Sequence, residues 1–214
     1  MRIREFGFHI RADKCKFFCD EVKFLGNIIN SSGIHVDPEK TSAVRRLPPP
    51  HNEKTLRSFL GAVNYYGKYI KSMGNLTAPM SHLLKKDTPW KWTSQCQSAF
   101  EKFKEILQSD LVLCHYQPEL PIQVAADASQ LAIGAQINHV FPDNTIKVIA
   151  YASRTLTKAE QAYSQIEREA LGLVFAVKHF HFQIQLWDKV HPHHRSQAVA
   201  RDFRINKGNR STCS

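Results

Sequence analysis

Apolar positions along the chain follow two rhythms. From Asp37 to Leu107 they recur every three or four residues, and from Leu111 to Ser153 they fall in short extended blocks; after Ser164 the helical period returns. Ahead of both lies a β-rich opening: Lys14-Cys-Lys-Phe-Phe18, Val22-Lys-Phe-Leu-Gly26 and Asn27-Ile-Ile29, punctuated by Asp20-Glu21 and by the turn Ser31-Ser-Gly33. These pieces predict a small hairpin-type sheet. Too little chain precedes it to cover both faces, so residues 1–36 read as the end of a larger domain.

The helical stretch carries its own start and stop signals. Asp37 is placed as an N-cap with Pro38 at the first helical position, and Pro48-Pro-Pro50 must end that helix. A second helix starts at Asn52 to Thr55, with Leu56, Phe59, Leu60 and Val63 on one face. Leu76 to Leu84 forms a third. Trp90 and Trp92 precede Thr93, the N-cap of a helix with Ala99, Phe100, Phe103, Ile106 and Leu107 on one side. Tryptophans just ahead of an amphipathic helix usually pack against it, and that reading is favoured over base stacking.

Three strands follow, at Ile122 to Asp127, Ala132 to Asn138 and Val148 to Ser153, with Pro142-Asp-Asn144 as a turn. Short links make them an antiparallel meander. Ser164 and Glu167 form a capping box for a long helix, whose expected buried stripe is Ile166, Ala170, Leu173, Val174 and Val177. The fold class is therefore α/β of the mixed α+β kind.

Charge refines this picture. The formal net charge is +10 over 214 residues, divided as +3 for 1–48, +4 for 49–115, −2 for 116–188 and +5 for 189–214. An acidic segment between basic ones suits a cation site flanked by phosphate-attracting arms. No signal peptide opens the chain, and the apolar run around Leu171 to Val177 is far too short to cross a bilayer, so the expected location is intracellular, in cytoplasm or nucleus, without membrane contact. Five scattered cysteines, an odd number, make a disulfide framework improbable; they are expected to be reduced and mostly buried.

Asp127 ends a strand and Glu169 lies in the first turn of the long helix; Glu167 is occupied at the cap. Two-metal hydrolysis of a phosphodiester needs several carboxylates converging on hard cations such as Mg2+. The plainer alternative is a turn-starting Asp and a Glu favoured by the helix dipole. Lys54, Arg57, Lys68 and Lys71 lie mainly off the apolar stripe of the second helix, where they could meet a phosphate backbone or simply form a solvated face.

These residues together resemble the C-terminal part of reverse transcriptase from gypsy-like long-terminal-repeat retrotransposons. Val22-Lys-Phe-Leu-Gly26, Pro38-Glu-Lys40, Leu60-Gly-Ala-Val-Asn-Tyr-Tyr66 and Leu76-Thr-Ala-Pro79 look like the palm end and thumb; Ala126-Asp-Ala-Ser129, Ile133-Gly-Ala135, Tyr151-Ala-Ser153 and Ile166-Glu-Arg-Glu-Ala170 look like the start of the ribonuclease H domain. The likeness covers about residues 5–186. It implies four parts: palm end over 1–36, helical thumb and linker over 37–115, a partial ribonuclease H-like domain over 116–188, and a divergent basic tail over 189–214. It also implies that Asp127 and Glu169 are catalytic carboxylates and Mg2+ ligands, that Phe24, Leu25 and Gly26 fall near the primer grip, and that the helix with Lys54 and Arg57, followed by Lys68 and Lys71, tracks a template-primer duplex or RNA:DNA hybrid. The rest of a polyprotein is the further partner.

Two departures qualify the activity. The polymerase centre of that family uses an Asp-Asp pair, and none occurs in this sequence. A third ribonuclease H acid is expected on a strand after Phe182, where the text instead reads Trp187-Asp-Lys-Val-His-Pro-His-His194; Asp188 comes too soon and Asp202 sits outside any strand pattern. Without that strand, Ile122 to Asp127 is expected to be an exposed edge. The parent activities are reverse transcription and cleavage of RNA in hybrids, while this chain alone is expected to be inactive. The alternatives are a non-catalytic nucleic-acid-binding module and a reading frame with no function of its own.

Overall fold

The computed structural model describes residues 5–7, 9, 11–86, 88–190 and the short strand at 204–205. The β-rich opening forms β1 (Glu21–Phe24), β2 (Asn27–Asn30) and β3 (Gly33–Val36), an antiparallel meander that pairs Phe24 with Asn27 and Asn30 with Gly33 across its two turns. A fourth strand, β4 (Val112–Leu113), returns from far along the chain to pair with Ile34 and His35. The opening sheet is thus completed by residues lying beyond the helices. Gly33 has a φ of 148°, and a Cβ there would stand 2.5 Å from the Leu113 carbonyl oxygen, so only glycine lets β4 approach.

Four helices lie between β3 and β4. Asp37 caps α1 (Pro38–Arg45), accepting from the Glu39 N–H, and the Asn52 and Thr55 side chains make a reciprocal capping box for α2 (Glu53–Asn64). After a 3₁₀ turn at Gly67–Tyr69 come α3 (Met73–His82) and α4 (Ser94–Ile106), the latter capped by Thr93. α3 starts three residues earlier than the apolar spacing suggests. Leu56, Phe59 and Val63 of α2 meet Met80, Phe100 and Phe103 in one core, with Phe59 at 4.9 Å from Phe100. Trp90 and Trp92 belong to this core: they stack at 6.1 Å, and Trp92 lies edge-on to Phe100 while its indole donates to Gln97 at 2.8 Å.

The second sheet is the expected meander with longer strands: β5 (Ile122–Ala128), β6 (Ala132–Val140) and β7 (Ile146–Thr155). A one-turn helix, α5 (Lys158–Gln161), leads to α6 (Gln165–Val190). The capping box holds, with the Ser164 N–H donating to Glu167 Oε2 at 2.7 Å and the Glu167 N–H to Ser164 Oγ at 3.3 Å.

The buried face of α6 differs from the expected one. Ile166 is 79% exposed, Val174 49% and Val177 37%, while Ala176 and Phe180 are buried against Ile122, Val124 and Ala126. Apolar residues surround this helix, so periodicity alone does not choose a face; small residues do. Gly172 approaches so closely that a Cβ there would lie 3.6 Å from the Ala126 Cβ.

Two other expectations are corrected. β5 is not the sheet edge: β8 (Arg204–Ile205) lies parallel to it, opposite Ala125 and Ala126. Of the described cysteines, all free, only Cys96 is buried, whereas Cys19 is exposed. Cys213, Asp202, His191, His193, His194 and the side chain of Asp188 lie outside the described residues.

The helical core and the second sheet are joined directly. The start of α3 lies on the face of the sheet opposite α6: the Gly74 N–H donates to Ser153 Oγ at 2.9 Å, and Ser129 Oγ donates to Asn75 Oδ1 at 2.6 Å. Among the described residues no helix is long and apolar enough to cross a membrane.

Candidate nucleic-acid interface and carboxylate pair

Strand alternation fixes where Asp127 stands. Ile122, Val124 and Ala126 face α6, so Asp127 belongs to the other face, where its cross-strand partner Gly134 lies against Ser72. Asp127 is half-buried and lines a cavity of about 10 Å³ together with Lys71, Ser72, Gln136 and Tyr151. That volume accommodates about one water molecule. Glu169 reaches the same strand end from α6. Its Oε1 accepts from Gln165 Nε2 at 3.0 Å, and that amide also donates to the Ala128 carbonyl at 3.4 Å. Both carboxylates therefore belong to the same end of β5. Among the described residues no group of three or more His, Cys, Asp or Glu side chains gathers as a metal site.

The four cations divide into two settings. Lys54 and Arg57 are exposed on the first turns of α2, with Arg57 at 3.7 Å from Glu53. Lys68 is half-buried; its ammonium lies over the Tyr69 ring at 5.1 Å, and burial pushes its pKa below the ordinary lysine value. Lys71 is exposed at the mouth of the Asp127 cavity.

The β1–β2 turn exposes two large apolar side chains. Leu25 has a φ of 47° and Gly26 of 72°, the paired left-handed conformation of a two-residue hairpin turn. Phe24 is 58% and Leu25 74% exposed. Leucine in this backbone region costs about 1–2 kcal/mol, so something holds it there. The hold comes from residues that sequence reasoning passed over: Asn27, Tyr65 and Tyr69. The available signals were an asparagine directly after the turn glycine and two tyrosines four apart just past α2.

Comparison with known proteins places this architecture. Residues 92–190 match the family described as the RNase H-like domain found in reverse transcriptase. The chain carries a domain of that class, and such domains are generally divalent-metal dependent. It is homologous to retrotransposon polyproteins: it is 36% identical over 176 residues to the Tf2-3 and Tf2-4 transposon polyproteins of Schizosaccharomyces pombe, covering 82% of this chain and 13% of each relative. It thus spans about an eighth of the length of the relatives it matches. Among solved structures, the foamy viral protease-reverse transcriptase in complex with RNA/DNA hybrid aligns over 81% of this chain and 24% of its own, with a TM-score of 0.67 at 24% identity. The same viral protein in complex with dsDNA aligns over 78% and 34%, with a TM-score of 0.62 at 26% identity.

Proposed function

We propose that the chain grips a nucleic-acid duplex, either template-primer or RNA:DNA hybrid, as the palm-end, thumb and ribonuclease H-like portion of a retroelement polyprotein. The observation that carries this reading is the alignment of four-fifths of the chain with a reverse transcriptase in complex with an RNA/DNA hybrid. The exposed Phe24–Leu25 tip and the exposed Lys54 and Arg57 on α2 supply the matching chemistry, apolar contact and phosphate attraction. In this reading 1–36 are palm end, 37–115 thumb and linker, 116–188 ribonuclease H-like, and 189–214 a basic tail. β4, inside the second of these, stitches it to the first.

Asp127 and Glu169 are the residues that would hold Mg2+, which in this class activates water and stabilises the leaving oxygen. The donor set does not fit that task by itself. Two carboxylates share one strand end, Lys71 lines the cavity beside Asp127, and no third acid joins them among the described residues. In this reading the chain binds the duplex, and cutting belongs to a longer parent.

Labelled RNA:DNA hybrid tests this. Affinity should fall steeply with salt, and Lys54→Ala combined with Arg57→Ala should flatten the plot of log affinity against log salt by roughly 0.9 per lost phosphate contact. With Mg2+, cleavage should not exceed that of Asp127→Asn. Metal-dependent cutting above that control would refute the binder reading, and salt-insensitive affinity would refute duplex recognition.

A further inference from the structure

We propose that Asn27 is a positioning residue: with the hydroxyls of Tyr65 and Tyr69 it locks the Phe24–Leu25 tip onto the end of α2, so that apolar tip and cationic helix meet a duplex as one unit. The lock is defined by hydrogen bonds alone, while its purpose rests on the duplex-binding reading above.

Every carbonyl of the turn is taken up from within the protein. Asn27 Nδ2 donates to the Phe24 carbonyl at 3.3 Å and the Leu25 carbonyl at 3.1 Å. Tyr65, the residue capping α2, donates its hydroxyl to the Leu25 carbonyl and accepts from Asn27 Nδ2 at 3.2 Å. The Gly26 carbonyl accepts from the Asp37 N–H at 3.2 Å, at the start of α1. Tyr69 closes the set, donating to Asn27 Oδ1 at 2.7 Å. The Tyr69–Asn27 bond is buried, with Asn27 8% and Tyr69 4% exposed, so losing one partner there leaves the other unsatisfied, while the Tyr65 end of the set, 43% exposed, reaches the surface.

Sterics agree with this assignment. A Cβ at Gly26 would stand 2.9 Å from the Tyr65 hydroxyl oxygen, so a larger residue there would push that hydroxyl aside. Leu25 is held left-handed although its side chain offers no local hydrogen bond, unlike the asparagine or aspartate usual in such turns. The two side chains so presented, Phe24 and Leu25, lie outside the buried cores. Core packing therefore does not explain why a strained turn is fastened at three carbonyls. Fixing an apolar tip for an external surface does, because contacts made by a preorganised group need no ordering on binding.

The experiment uses the full chain with Tyr65→Phe, Tyr69→Phe and Asn27→Ala. Amide hydrogen exchange at Phe24 and Asn27, the strand pair that closes the turn, is expected to accelerate at least ten-fold, about the factor expected for a lost hydrogen bond. Kd for a labelled RNA:DNA hybrid is expected to rise roughly three- to ten-fold with the salt dependence unchanged, since no phosphate contact is removed. Leu25→Asn in the Tyr65→Phe background should restore exchange protection, because asparagine tolerates the left-handed backbone. If Asn27→Ala fails to fold, the two hydroxyl deletions carry the test. Unchanged exchange in both tyrosine variants would overturn the lock. Faster exchange with unaltered Kd would overturn its positioning role, leaving a structural one. Failure of the unmodified chain to bind hybrid would instead overturn the duplex reading, with the exchange data still deciding the lock.

Discussion

At the scale of single residues, the second sheet contains a buried histidine whose protonation state is dictated by its partners. His139 is fully buried; its Nε2 accepts from the Gln117 N–H at 2.9 Å, so its Nδ1 carries the proton and donates to the Pro121 carbonyl at 3.2 Å. Both nitrogens are used by the neutral ring, and burial pushes its pKa below the ordinary histidine value. The unfolded chain takes up a proton here below about pH 6.5 while the folded chain does not. Unfolded protein binds more protons in that range, so stability falls as pH drops through it and is level above it. Thermal denaturation from pH 8 to pH 5 should therefore show a decline that is smaller in His139→Leu, although the variant starts from a lower Tm because it leaves the Gln117 N–H unpaired and removes one of the two bonds to the Pro121 carbonyl, which still accepts from the Val140 N–H at 3.1 Å. An equal decline in both proteins would assign the pH dependence to other groups.

At the scale of elements, α6 separates what the sequence made legible from what it did not. Its start could be read from Ser164 and Glu167, because a capping box is a local arrangement spanning three positions. Its buried face could not. Ile166, Val174 and Val177 are as apolar as Leu173 and Phe180, and the choice depends on Gly172 and Ala176 lying flat against Ala126. The strand position of Asp127 was legible from its apolar run, yet the cavity it shares with Lys71 and Tyr151 depends on how α3 meets the sheet. Asn27, Tyr65 and Tyr69 were missed for the same reason: their hydrogen bonds join a hairpin to a helix end far along the chain. The Gly172 contact makes a graded prediction. A Cβ there would sit 3.6 Å from the Ala126 Cβ and 3.7 Å from the Asp127 carbonyl oxygen, ordinary contact distances. Gly172→Ala should stabilise by about 0.5–1 kcal/mol through helix propensity. Gly172→Leu, which must push α6 off β5, should destabilise by about 1–3 kcal/mol. Urea denaturation of the two variants would expose an error in the helix face if both behaved alike.

At the scale of the whole molecule, the question is what makes the helical segment and the ribonuclease H-like sheet one body. One weld is the Cys114 N–H, which donates to the Val148 carbonyl at 2.7 Å, and a second is the first turn of α3. Gly74 donates its N–H to Ser153 Oγ, and its Cα stands so close to the sheet that an added Cβ would lie 3.0 Å from the Ala132 Cβ and 3.1 Å from the backbone carbonyl of Arg154. These neighbours cannot swing aside as a long side chain would: Ala132 and Arg154 belong to the paired strands β6 and β7, and Arg154 is further anchored by its two bonds to Glu160 at 2.8 and 2.7 Å. Gly74→Ala therefore has the opposite sign from Gly172→Ala. The same methyl group that helps where contacts are 3.6 Å should cost about 1–3 kcal/mol where they are 3.0 Å, or a Tm lower by roughly 2–8 °C. The loss should be confined to the junction, so α2 and its exposed Lys54 and Arg57 remain intact. Limited proteolysis between Lys71 and Asn75 should become faster in Gly74→Ala, and a variant with unchanged Tm and unchanged cleavage there would mean that the two halves are held together elsewhere.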